Sequence, residues 1–142
     1  MNARERLIVA LDVDDQQKAE ELIDVLSDEV EIFKVGIAPF TDYGQAILEK
    51  LEALGKKVFL DLKFHDIPNT VKNAAIAAVK KNVFMMNFHC IGGRRMLEAA
   101  VAGVQEGCVR FGNKAPITLG VTVLTSMAEE DLEDIGINCA VP

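Results

Sequence analysis

The stretch Asp61-Leu62-Lys63-Phe64-His65-Asp66 carries two carboxylates and an ammonium within one short span, and the ordered turn Ile67-Pro68-Asn69-Thr70 follows it. Lys57-Val58-Phe59-Leu60 before it reads as a strand, and Val71 to Lys81 after it as a helix. Side chains two apart in a strand point the same way, so Asp61 and Lys63 are expected on one face and Leu62 on the other. Asp66 falls past the strand end, where a loop can carry it elsewhere. A surface salt-bridge cluster is one reading, but such clusters contribute little stability. Charges crowded at the end of a buried-type strand point instead to a functional site. A lysine flanked by carboxylates is held in its charged form and can donate a proton.

Other chemistries fit less well. Ser27 and Ser126 have no histidine near them in sequence, and Ser126 reads more simply as a helix cap. Cys90, Cys108 and Cys139 have neither disulfide nor zinc spacing, which suits a reducing cytosol. Asp12, Asp61, Asp66 and His89 could be imagined around a metal. Lys34 and Lys63 share that ring of strand ends, however, and already neutralise much of its charge. His65 and His89 read as structural.

The elements that must position these groups alternate with a period near 25 residues. Leu7 to Leu11 reads as a strand buried on both faces, ending in Asp12. A helix capped by Asp14 or Asp15 follows, with Ala19, Leu22, Ile23 and Leu26 inward. Val30 to Gly36 is a second strand. A helix from about Thr41 to Leu54 places Ile47, Leu48, Leu51 and Leu54 inward and stops at Gly55. After the third strand, Val71, Ala74, Ala75, Ala78 and Val79 form the stripe of a third helix. Val83 to Phe88 is the fourth strand, ending at His89. Gly92-Gly93 leads into a helix from about Arg94 to Gln105, stopped near Gly107. Ile117 to Leu124 is the fifth strand, and Thr125-Ser126 opens a fifth helix.

Strand-helix alternation means a parallel α/β sheet. A doubly wound sheet and a (β/α)8 TIM barrel both satisfy it. No Rossmann glycine fingerprint follows the first strand. Asp12, Lys34, Asp61, Lys63, His89 and Thr125 stand at successive strand ends, and a barrel brings those ends to one point. The barrel is therefore expected, with residues 1–142 as a single incomplete domain supplying about its first five β/α units. A whole barrel takes about 250 residues. The first and fifth strands are then open edges.

The bulk numbers fit one such domain. The chain is 142 residues long, half hydrophobic, with a formal net charge of -7. No basic block offsets that charge, which argues against a nucleic-acid or anionic membrane surface. The first residues have no apolar signal core behind them, and no apolar run reaches the length of a membrane span.

Asp61-x-Lys63-x-x-Asp66-Ile67-Pro68-Asn69-Thr70, with Leu11-Asp12 and Phe33-Lys34-Val35-Gly36 before it, closely resembles the orotidine 5′-phosphate decarboxylase family. The likeness runs from about Leu7 to Ile137. It implies decarboxylation of orotidine 5′-phosphate to UMP in pyrimidine biosynthesis, in the cytoplasm, without metal or cofactor. By this resemblance Lys63 protonates C6 of the pyrimidine, Asp61 presses on the substrate carboxylate, and Lys34 holds the charge network and the ribose. Asp12 binds ribose hydroxyls and Thr125 the ring, while Asp66 and Thr70 serve the neighbouring subunit's site in a homodimer. Two alternatives stand beside it. Metal-dependent sugar-phosphate synthases and decarboxylases share the Asp-x-Lys-x-x-Asp core, but they carry an acidic metal ligand where Lys34 stands. A catalytically inactive fold fragment is the other. The family's phosphate grip, a loop with a Gln and a Gly-Arg at the eighth strand, has no counterpart up to Pro142. Arg94, Arg95 and Arg110 do not replace it. Residues 1–142 alone are thus expected not to turn over substrate.

Overall fold

The computed structural model describes residues 4–137. Five strands alternate with five helices: β1 (Ile8–Ala10), α1 (Gln16–Leu26), β2 (Ile32–Gly36), α2 (Ile37–Ala53), β3 (Lys57–Phe64), α3 (Pro68–Lys80), β4 (Met85–His89), α4 (Gly93–Phe111), β5 (Ile117–Val121) and α5 (Glu129–Asp134). Short 3-10 turns lie at Arg4–Arg6 and Cys90–Gly92. The strands form one parallel sheet in the order β1-β2-β3-β4-β5. This is the α/β architecture of a TIM barrel's leading units, with consecutive strands adjacent and each joined to the next through a helix.

Local signals explain most boundaries. Asp15 caps α1, its Oδ1 accepting the Lys18 N–H at 2.9 Å. Pro68 opens α3, where a missing N–H costs nothing. Gly55, at φ 65°, turns the chain out of α2 toward β3. The core runs between sheet and helices: Leu11, Ile23, Phe33, Ile47, Leu51, Leu60, Val71, Met86 and Met96 are buried. Each buried side chain of this size contributes roughly 1.5–3 kcal/mol.

The expected boundaries need four corrections. The first strand is not buried on both faces: Ile8 is 43% exposed, because β1 is an end strand with only β2 beside it. The second helix starts at Ile37, directly after β2, and Leu54 caps its far end, exposed rather than inward. Ser126 does not cap the last helix; Ala128 holds that place, and the Asp131 carboxylate accepts the Ala128 N–H at 2.7 Å.

The fourth correction concerns Gly107, which does not stop α4. The helix continues to Phe111 and ends at Gly112, which takes the left-handed conformation at φ 72°. Gly107 instead faces α3, where a methyl group would lie 2.8 Å from Val79 Cβ. A methyl on Gly103 would run into the Lys72 carbonyl oxygen. The two glycines let α4 lie close on α3, where Ala75 and Ala78 are also small and buried.

These glycines set helix propensity against packing. Propensity alone favours Ala over Gly in a helix by about 1 kcal/mol. Overpacking costs about 1–3 kcal/mol, and the neighbour of Gly103 is backbone, which cannot rotate away. Gly103→Ala is therefore expected to destabilise the protein, read as a lower urea midpoint. A midpoint at or above that of the parent would mean that the helices separate freely.

Candidate active site

β3 carries the centre of the site, but not by plain alternation. Phe59 pairs with Met85, Leu60 with Met86, and then Phe64 with Phe88. Four steps along β3 thus match two along β4, so Asp61, Leu62 and Lys63 bulge out opposite Asn87. Lys63 takes a left-handed backbone conformation, φ 49°, which is uncommon for a residue with a side chain. The expectation that Asp61 and Lys63 come together holds, since Lys63 Nζ lies 2.7 Å from Asp61 Oδ1. The route is a bulge, not a regular pleat.

Asp61 is nearly buried and takes three partners. Lys63 Nζ and Asn87 Nδ2 both donate to Oδ1, at 2.7 and 2.6 Å. Lys34 Nζ stands 3.4 Å from Oδ2. Burial alone would push this carboxyl's pKa up. Hydrogen bonds from Lys63 and Asn87, with the charges of Lys63 and Lys34, outweigh burial and hold it below the usual carboxylate value.

Lys34, on β2, also bonds Asp12, with Nζ 3.0 Å from Oδ2. Asp12, Lys34, Asp61 and Lys63 therefore form one alternating chain of charge across three strand ends. Gly36 leaves room for it: a methyl there would stand 3.1 Å from Asp12 Oδ1. The Tyr43 hydroxyl donates to the Val13 carbonyl at 2.8 Å, which ties the loop bearing Asp12 to α2. A cleft of about 380 Å³ opens beside Asp12, between Val13 and Tyr43.

The other expected site residues stay outside this chain of charge. Asp66 is exposed, and its Oδ1 accepts the neighbouring Ile67 N–H at 2.7 Å. Thr70, in the first turn of α3, and Thr125, between β5 and α5, are both exposed. His65 and His89 face each other with ring centroids 5.7 Å apart. Among the described residues no group of three or more His, Cys, Asp or Glu side chains is placed to hold a metal ion. Cys90 and Cys108 are free thiols, and Cys139 lies outside the described residues.

Asn87 escaped the sequence reading. It is 3% exposed in the middle of β4, bonded both to Asp61 and to the Lys63 N–H. The available signal was a lone amide inside the apolar run Val83 to Phe88, since buried polar groups need partners.

The C-terminal ends of parallel strands, where this lysine–carboxylate network gathers, are where TIM-barrel enzymes carry their active sites. The chain belongs to the orotidine 5′-phosphate decarboxylase / HUMPS family, whose model matches residues 5–140. It is 52% identical over 132 residues to orotidine 5′-phosphate decarboxylase of Carboxydothermus hydrogenoformans, covering 93% of this chain and 55% of that protein. It is 47% identical over 138 residues to the enzyme of the same name from Moorella thermoacetica, covering 96% and 55%. The solved orotidine 5′-phosphate decarboxylase of Lactobacillus acidophilus superposes with a TM-score of 0.81 at 37% identity, over 98% of this chain and 61% of that one. The chain thus spans about half the length of the curated relatives it matches.

Asp61 and His89 pull stability in the same direction with pH. Burial first, then the charges of His65 and Lys63, hold the His89 pKa below its ordinary 6.5. Charging it is thus harder in the folded chain, so stability falls as pH drops through the ordinary histidine value toward the folded one. Asp61, with its lowered pKa, adds stability above the ordinary carboxylate range that fades only at much lower pH. Urea midpoints are expected to drop between about pH 7.5 and about pH 5.5. His89→Asn is expected to flatten that drop; an unchanged slope would remove His89 as its source.

Proposed function

We propose that this chain supplies the chemical half of an orotidine 5′-phosphate decarboxylase site. The observation that carries this reading is the nearly buried Asp61 held between Lys34 and Lys63, in a chain of that family. The bond from C6 of the pyrimidine to the carboxylate breaks, CO2 leaves, and the electron pair stays on C6. Lys63 Nζ stabilises that pair by its charge and then protonates C6. Asp61 stands against the departing carboxylate, Lys34 fixes both Asp61 and Asp12, and Asp12 takes the ribose hydroxyls. Thr125 contacts the ring.

The reaction needs no metal in this reading. What supports this is the use of Asp61: one oxygen accepts an ammonium and an amide, and the other faces a second ammonium. Asp66 and Thr70 serve the partner's site of a homodimer. Their exposure, and the absence of Asp66 from its own chain's network, supports this. The cytoplasm suits a small phosphorylated substrate and free thiols.

The test is a complete barrel, in which this chain is joined to the unmatched remainder of the Carboxydothermus hydrogenoformans relative. The folded chimera is expected to release CO2 from orotidine 5′-phosphate, and to do so after exhaustive chelation. Lys63→Ala is expected to lower kcat by at least about 10²-fold, the scale of a lost general acid, without unfolding it. A folded chimera with no turnover, or turnover that returns only with added magnesium, overturns the proposal.

The shared site has its own test. Asp66→Ala and Lys63→Ala chimeras are each expected to be inactive alone and to regain activity on mixing, because a mixed dimer holds one intact site. No recovery after subunit exchange would confine Asp66 to its own subunit.

A further inference from the structure

We propose that Asn87 is the positioning residue of this site, the group that sets the Lys63 ammonium against Asp61. The inference rests on the decarboxylase reading for its activity arm alone. The side chain is 3% exposed and has both ends engaged. Its Oδ1 accepts the Lys63 backbone N–H at 2.8 Å, and its Nδ2 donates to Asp61 Oδ1 at 2.6 Å.

Each contact answers a need that the bulge creates. Between Leu60 and Phe64 the β3–β4 ladder lapses, and the Lys63 N–H meets a side chain in place of a strand carbonyl. A buried N–H without a partner is costly, so the amide oxygen of Asn87 stands in for the missing ladder. That bond also holds Lys63 in its left-handed conformation, φ 49°. The amide nitrogen meanwhile orients Asp61, so that the same oxygen can receive Lys63 Nζ at 2.7 Å. One side chain thereby fixes the backbone of the lysine and the carboxylate it bonds.

Only certain groups can do both. The residue must accept at one atom and donate at its neighbour, within the space of an Asn. A neutral Asp carboxyl has that pattern, and an ionised one does not. Asn87 bonds Asp61 and Lys63 on β3, Lys34 on β2 stands against the other oxygen of Asp61, His89 lies two residues further along β4, and β5 pairs the apolar Leu119 with Asn87. A second carboxyl against Asp61 is pushed up in pKa by the like charge, which Lys63 and Lys34 offset in part.

The experiment compares Asn87→Ala and Asn87→Asp with the parent chimera, measuring kcat and KM from about pH 5 to about pH 9, where such a carboxyl titrates. Asn87→Ala is expected to lower kcat about 10²-fold, the scale of a misplaced reacting group, with KM within threefold. The kcat ratio of Asn87→Asp to parent is expected to be highest at low pH and to fall as the introduced carboxyl ionises. A kcat within threefold of parent for Asn87→Ala overturns the proposal. So does a pH-independent ratio for Asn87→Asp, which would mean that Asn87 only fills space.

Amide hydrogen exchange at Lys63 needs no turnover and separates this inference from the proposed reaction. In the parent the Lys63 amide is expected to be protected. In Asn87→Asp the protection should persist at low pH, and its loss there would overturn the positioning role even if the parent decarboxylates. If the parent does not decarboxylate but the protection follows this pattern, the positioning stands and the reaction assignment fails.

Discussion

Everything in the site depends on one nearly buried carboxylate. Removing Asp61 from water is unfavourable unless donors replace the lost hydration. Here two ammonium groups and an amide do so, from three different strands. That requirement explains the types around it: Lys34 on β2 and Lys63 on β3 are cations, Asn87 on β4 is a donor, and Gly36 has no side chain to obstruct them. Lys34 then shares its charge with Asp12 from the end of β1. The network is continuous across the sheet because the strands are parallel and neighbouring in order, so their ends arrive at the same level.

The sheet and helices serve this network unequally. β2, β3 and β4 have neighbours on both sides, and they carry its centre. β1 and β5 are end strands, and apolar side chains such as Ile8, Ile117 and Leu119 are correspondingly exposed. On the outer layer, the glycines of α4 let it settle against α3, and α3 in turn starts after the short turn His65 to Ile67 that follows the bulged strand.

Much of this was legible in the chain. Apolar runs ending in charge gave the strands, and helical spacing gave the helices, because both patterns record burial directly. Asp12, Lys34, Asp61 and Lys63 could be placed at strand ends for the same reason. What escaped depends on contacts between segments distant in sequence. Gly107 looks like a stop until Val79 is known to lie against it. Asn87 looks like a defect in an apolar strand until Asp61 and the Lys63 N–H are known to face it. The left-handed backbone at Lys63 has no local cue at all, since lysine has no preference for it. Asp66 and Thr70 could be named from the motif and Thr125 from the resemblance, but all three are exposed, and Asp66 Oδ1 accepts only the neighbouring Ile67 N–H among the described residues.

The bulge in β3 also acts as a length adjuster. A regular ladder continued from Leu60 and Met86 would set Phe64 opposite Cys90, whereas the observed pairing is with Phe88. The extra two residues of strand, each rising about 3.3 Å, are absorbed by the bulge instead of lengthening the sheet. Straightening β3 while keeping its residues would therefore push the start of α3 outward by about 6–7 Å, and carry Asp66 and Thr70 with it. The same irregularity that bends Lys63 toward Asp61 thus sets how far the following helix stands from the sheet. An idealised redesign of this strand would preserve every side chain in the motif and still misplace half of them.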